Sequence, residues 1–146
     1  MTSGIIEILI EDSNIIALVG LDHRGQVKVY PTVAPEQSPG YAVDAPYVIV
    51  TETSLNPTLG KDCPSTLDFP RYDVLVYSTD FRETEQIQEA CRVCLDNGQA
   101  WTTETADFDS IWMADRRDLF APGSGQTGGM YVKVGTYAAA AKRTIT

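Results

Sequence analysis

Residues 71–98 read RYDVLVYSTDFRETEQIQEACRVCLDNG, and a change of period within them decides the fold class. Arg71 to Tyr77 alternates β-branched and aromatic residues with others, the two-residue repeat of a strand. From Asp80 the period lengthens. Asp80 and Glu83 form a D-x-x-E start, a variant of the capping box, with Phe81 just inside it. Ile87, Cys91, Cys94 and Leu95 then fall at 0, 4, 7 and 8, one apolar stripe on a helix. Glu83, Glu85 and Glu89 occupy the N-terminal half, where the helix dipole favours carboxylates, and Asn97-Gly98 supplies a left-handed stop. A strand followed directly by a capped helix is the nucleus of a mixed domain.

Upstream, Tyr47 to Thr53 is a second β-rich run. Asn56 to Ser65 is turn chemistry throughout, so this run and Arg71–Tyr77 are expected to form an antiparallel hairpin with a long polar tip. Val27 to Tyr30 alternates like a short strand, and Pro31, Pro35, Pro39 and Pro46 punctuate a surface connection after it. The first segment reads as a helix capped by Thr2 or Ser3 and running to about residue 12. Asp12-Ser13-Asn14 interrupts it, and a short helical turn over Asn14 to Leu18 ends at Gly20. Downstream, a polar stretch to Asp109 leads to Ser110–Phe120, a Gly-rich turn and Met130–Tyr137, read as a second hairpin. Ala138 to Ala141 and the basic residues after it are read as an extension of that strand, a helical turn or a projecting C-terminal arm, about residues 138–146. The expected fold is one α+β domain, 1–146, with a mostly antiparallel sheet of four to five strands and two packed helices.

The 146 residues carry 20 acidic and 11 basic side chains, a formal charge of −9 with a pI near 4.4. Such a balance argues against a broad phosphate-binding surface. The apolar runs are too short to span a bilayer, and Met1-Thr2-Ser3-Gly4 lacks the basic start of a secretory signal.

Motifs that resemble chemistry fail on context. Cys91 and Cys94 spell C-x-x-C, but they sit three apart on a helix with no second pair, so they read as small core residues. Gly123-Ser124-Gly125-Gln126-Thr127-Gly128 matches G-x-G-x-x-G, yet an alternating strand follows in place of the helix that would present amides to a pyrophosphate. Glu104, Asp107, Asp109, Asp115 and Asp118 lack the spacing and central glycine of a calcium loop. His23, the one histidine, lies in a charged turn far from any candidate nucleophile. Arg116-Arg117, flanked by Asp115 and Asp118, is too balanced for a nucleic-acid stripe and reads as interface salt bridging or a solvated edge. No catalytic residue, metal ligand or cofactor is expected.

One ordered set of segments carries a resemblance. Ala17-Leu18-Val19-Gly20 closes the N-terminal helix; Val29-Tyr30-Pro31-Thr32-Val33-Ala34-Pro35, Pro46-Tyr47-Val48-Ile49-Val50 and Arg71–Tyr77 follow, with the Asp80–Leu95 helix after them. In order and spacing, across residues 5–98, the set resembles the tail completion, or tail terminator, proteins of long-tailed bacteriophages. The resemblance implies a structural virion protein of tail or neck, assembled in the host cytoplasm. Such proteins form a ring, usually of six subunits, on the last ring of the tail tube. The ring ends tube growth and joins the head or its connector, and DNA transits the lumen. The implied partners are further copies of the chain, the tail-tube protein and a head-completion or connector protein, with no membrane. The hairpin tip at 56–68, with Lys61, Asp62 and Asp68, is the expected interface or lumen surface, together with Arg116 and Arg117. Part of the −9 is expected around that lumen, where like charge keeps phosphates from adhering. Competing readings are another head–tail connector or tail-tube-like subunit, a small nucleotide-binding enzyme using the Gly123–Gly128 loop, and a cysteine redox protein.

Overall fold

The computed structural model describes residues 2–32, 36–38, 41–42, 45–59, 64–104, 106–121 and 129–142. Helices α1 (Thr2–Ile10) and α2 (Ser13–Val19) open the chain and lead to β1 (Val29–Pro31). A small two-stranded unit, β2 (Glu36–Ser38) with β3 (Tyr41–Ala42), sits in the proline-punctuated connection. Then come β4 (Tyr47–Leu59), β5 (Pro64–Ser78), α3 (Phe81–Leu95), β6 (Trp101–Thr102), β7 (Asp107–Ala121) and β8 (Met130–Lys142). The main sheet has six strands in the order β1-β4-β5-β8-β7-β6. β1 runs parallel to β4, and every other pair is antiparallel.

Strand alternation gives the sheet two different faces. One face carries Val48, Val50, Tyr72, Val74, Val76 and Tyr137, and all three helices pack on it. From the helices come Ile5, Leu9, Ile15, Ile87, Cys91 and Leu95, each fully buried. Each aliphatic side chain in that layer contributes roughly 1.5–3 kcal/mol by leaving water. The opposite face carries a smaller cluster of Tyr30, Tyr47 and Ile49, joined by Leu75, Tyr77 and Met130. Tyr47 and Tyr77, register partners across β4 and β5, stack there with ring centroids 4.9 Å apart.

A fully buried polar side chain ties α3 to the sheet. Gln88 is fully buried; its Nε2 donates to the carbonyls of Val74 (2.9 Å) and Lys133 (3.0 Å), and its Oε1 accepts from the Tyr137 hydroxyl (3.0 Å). All its amide capacity within reach is used, which is the condition for burying it at low cost. Gly135 leaves the room: a Cβ there would lie 2.6 Å from Gln88 Oε1 and 3.0 Å from the Tyr137 ring.

The α+β class holds, but the sheet has six strands in mixed orientation, not four to five mostly antiparallel ones, and three helices, not two, cover it. Three physical causes account for the difference. The Asp12-Ser13-Asn14 interruption is itself a helix start: the Asp12 carboxylate accepts from the amides of Asn14 (2.9 Å) and Ile15 (3.1 Å) and caps α2. The long connection after β1 brings the chain back so that Val29 aligns with Val48 in parallel register. Trp101–Thr102 adds a two-residue edge strand within the stretch read as a polar loop.

The hairpins are also longer than their alternating cores suggest. β4 runs through Pro57, whose missing N–H is tolerated because β4 has β5 on one side only at that point among the described residues. In β5 the ladder to β8 passes over Phe69 and Pro70, resuming at Arg71. Ala138 to Lys142 continue β8 between β5 and β7.

Candidate functional site: the helix-free face and the edge of β7

β7 is the most exposed long strand. β6 covers it only at Asp107 and Phe108; beyond them β7 pairs with β8 alone among the described residues. Near the middle of that edge the Asp96 carboxylate accepts the Met113 N–H at 3.1 Å, closing one position. A register shift between Met113 and Asp115 follows, and Ala114 to Phe120 stand exposed. The shift has a consequence for the faces. Trp112 lies opposite Ala138 and Asp115 opposite Thr136, so both point away from the helices. The helix-free row along β7 is therefore Trp112, Asp115, Arg117, Leu119, and the helix-side row is Met113, Arg116, Asp118, Phe120.

The charged centre of β7 is tied inward on both faces. Arg117 lies 3.6 Å from Asp73, which accepts from the Thr136 hydroxyl at 2.7 Å. Arg116 donates to Glu89 of α3 at 3.3 Å, and Asp118 pairs with Lys133 at 2.8 Å. Lys133 Nζ stands 5.7 Å from the centroid of the Phe81 ring. Phe81, Tyr131 and Phe120 continue as an edge-to-face group with centroids 5.7 and 5.4 Å apart. Large apolar side chains left in contact with water collect on this strand and its neighbours: Trp112, Leu119, Phe120, Tyr131 and Phe81. Clustering of that kind marks interaction surfaces.

Of the residues expected at an interface or lumen, Arg116 and Arg117 share this edge but point to opposite faces. Asp68 lies elsewhere: it is 5% exposed, opposite Ala141 in β8, whereas Arg117 is opposite Val134. That separation along β8 is about 23 Å at the rise of a strand. Lys61 and Asp62 lie outside the described residues, as do Cys63 and the Gly123–Gly128 loop. The residue from which the chain leaves that loop enters β8, an antiparallel strand. Sequence reasoning singled out the two arginines but not Trp112, Leu119 or the Phe81–Tyr131–Phe120 group. The signal available was an apolar run on each side of Asp115–Asp118, read only as strand.

The other reactive side chains are spent on structure. Cys91 and Cys94 are buried in α3, with Cys94 Sγ 3.9 Å from the Ile8 carbonyl. Burial pushes both thiols up, Cys94 to about 12. Asp22 organises the turn that holds His23: its carboxylate accepts from the amides of Arg24 and Gln26 and from the Tyr30 hydroxyl at 2.9 Å. Burial opposes that charge, but these donors outweigh it and bring the carboxyl to about 2. Tyr30 is raised in turn by burial and by the neighbouring carboxylate. No group of three or more His, Cys, Asp or Glu suited to a metal occurs among the described residues. Among the described residues no helix is long and apolar enough to cross a membrane. A groove of about 680 Å³ runs between α2 and α3 over Ala17, Leu18, Ala90 and Val93, with Glu85 and Glu89 also in its lining.

No family model matches the chain, and no curated protein does. Solved structures do match. A chain in the structure titled "Virion of native gene transfer agent (GTA) particle" superposes with a TM-score of 0.66 at 15% identity, over 97% of this chain and 94% of that one. This chain thus has the fold of that virion chain along nearly its whole length.

Proposed function

We propose that the protein is a structural component of a phage-like virion, and within that class a tail-terminator subunit. The observation that carries the reading is the near end-to-end likeness to a chain of a gene transfer agent particle. In this reading six copies close a ring on the last ring of the tail tube, end its growth and present a face to the head or its connector.

Three features support a structural role. Five of the eight exposed large apolar side chains among the described residues, Trp112, Leu119, Phe120, Tyr131 and Phe81, lie along β7 and the elements beside it. The sheet has two open edges among the described residues, β7 beyond Phe108 and β4 beyond Val50, available for contacts between subunits. The described cysteines, Cys91 and Cys94, are enclosed, and burial raises both thiols.

The charge has a place in the same reading. Residues 2–20 and 80–96, the helical layer, carry eight carboxylates and two arginines. The helix-free face sets Asp73 and Asp115 beside Arg71 and Arg117. Neither face offers duplex DNA a net positive surface, so a lumen lined by either one passes DNA without holding it.

The test is assembly on tubes. Isolated tail tubes incubated with the protein are expected to gain one layer of density at one end and to stop elongating. Polymerisation of the protein itself into open-ended tubes would reject the terminator role in favour of a tube subunit.

A further inference from the structure

The helix-free row of β7 reads apolar, negative, positive, apolar: Trp112, Asp115, Arg117, Leu119. It has this form only because of the register shift at Ala114, which brings Trp112 onto the same face as Asp115. An antiparallel partner strand runs end for end, so a second copy presents Leu119, Arg117, Asp115, Trp112 against it. Each position then meets its complement: Trp112 faces Leu119, and Asp115 faces Arg117, twice each. An interface about a two-fold axis requires such self-complementarity, since each contact made by residue i to residue j is returned. On this face opposite charges meet; on the helix side Arg116 meets its own counterpart at the axis, each paired with Glu89 of its own chain at 3.3 Å.

We propose that the free chain associates with a second copy through antiparallel pairing of its β7 edges, about a two-fold axis passing beside Arg116. The edge is open there among the described residues, and Trp112 and Leu119 are 40% and 50% exposed. Arg117 is pre-set on its face by Asp73, while Asp115 makes no ion pair among the described residues. The Met113 amide, already taken by Asp96, limits main-chain pairing to the segment after the bulge. The other open edge, β4 beyond Val50, begins Thr51, Glu52, Thr53, Ser54; with a single charge it has no such pattern. A contact that returns on itself closes at two copies, so it goes beyond the ring reading and does not generate a ring. It covers the apolar edge of the chain before assembly.

The experiment is native mass spectrometry with sedimentation velocity over a concentration series of the full chain. A dimer is expected. Arg117→Asp sets carboxylates against each other at both symmetric positions and is expected to weaken the dimer by at least about tenfold. Adding Asp115→Arg to that chain restores both pairs with signs exchanged, and the dimer is expected to return. In a Cys63→Ser background, Arg116→Cys is expected to give a disulfide-linked dimer on mild oxidation, and Arg82→Cys on α3 is not. Cross-linking needs neither charge variant, so it stands even if one of those fails to fold. A monomer at every concentration, a dimer indifferent to Arg117→Asp, a folded double variant that stays monomeric, or no cross-link at 116 would each overturn the proposal. None of these outcomes touches the assembly on tube ends, and failure to cap tubes leaves the dimer standing.

Discussion

Gln88 is the residue on which the packing of helix against sheet turns. Replacing it by Ala leaves the Tyr137 hydroxyl buried without its partner and takes one hydrogen bond each from the Val74 and Lys133 carbonyls, opening a void beneath α3. Unsatisfied buried groups cost about 1–3 kcal/mol each, so Gln88→Ala is expected to destabilise by on the order of 3 kcal/mol or more in urea denaturation. Gly135→Ala attacks the same point from the strand. Its Cβ would press on a side chain held by three hydrogen bonds, which cannot swing aside, and a loss of about 1–3 kcal/mol is expected. Neither role was legible in the sequence. Gln88 sits next to Ile87 as one more polar residue of an amphipathic helix, and only the meeting of α3 with two strands turns it inward.

Asp22 is the residue whose ionisation bears on the fold. Its carboxyl is lowered from an ordinary value near 3.8 to about 2. A lowered carboxyl stabilises the folded state above its unfolded value, and that contribution disappears as the pH falls through the folded one. Acid titration should therefore release the 22–30 turn between about pH 4 and pH 2. Asp22→Asn should flatten the acid limb of a stability profile over that window; a parallel profile would show that the carboxylate plays no such part.

At the scale of elements, α2 illustrates how one signal can be read in two directions. Asp12-Ser13-Asn14 ends α1 and also caps the next helix; with no knowledge of where Ile15 and Val19 pack, the two-helix outcome and a frayed single helix look alike. Asp12→Ala is expected to cost about 1 kcal/mol of stability, measurable by chemical denaturation. The α3 helix was legible in full: its Asp80 carboxylate accepts from the Arg82 N–H at 3.0 Å as a cap should, and its apolar stripe is the one that packs. Its cysteines are expected to stay silent to thiol reagents until the protein unfolds. Fast labelling of folded protein at Cys91 or Cys94 would contradict their enclosure.

The strands were half legible. Alternation marked the central halves of β4, β5 and β8, because burial on one face enforces a two-residue period there. It was silent about the parallel pairing of β1, since three residues carry no directional information. It also missed the bulge in β7, where one extra residue decides which side chains share a face. The candidate surface was visible in sequence only as Arg116-Arg117. The aromatic group around Tyr131 draws on α3, β7 and β8, and chain separation conceals it.

For the molecule as a whole, the acidic excess acquires a location. It concentrates in the helical layer, while five of the eight exposed large apolar side chains among the described residues gather at β7 and the elements beside it. In the proposed assembly, apolar contact would join copies through the sheet and the charged layer would face water or DNA. That division suits a protein whose product is an assembly. The most direct test is electron microscopy of virions carrying a tagged copy of this chain. One closed ring of label at the junction of tube and head, around a channel wide enough for duplex DNA, is the expected result. Label distributed along the tube, or none at the junction, would contradict it.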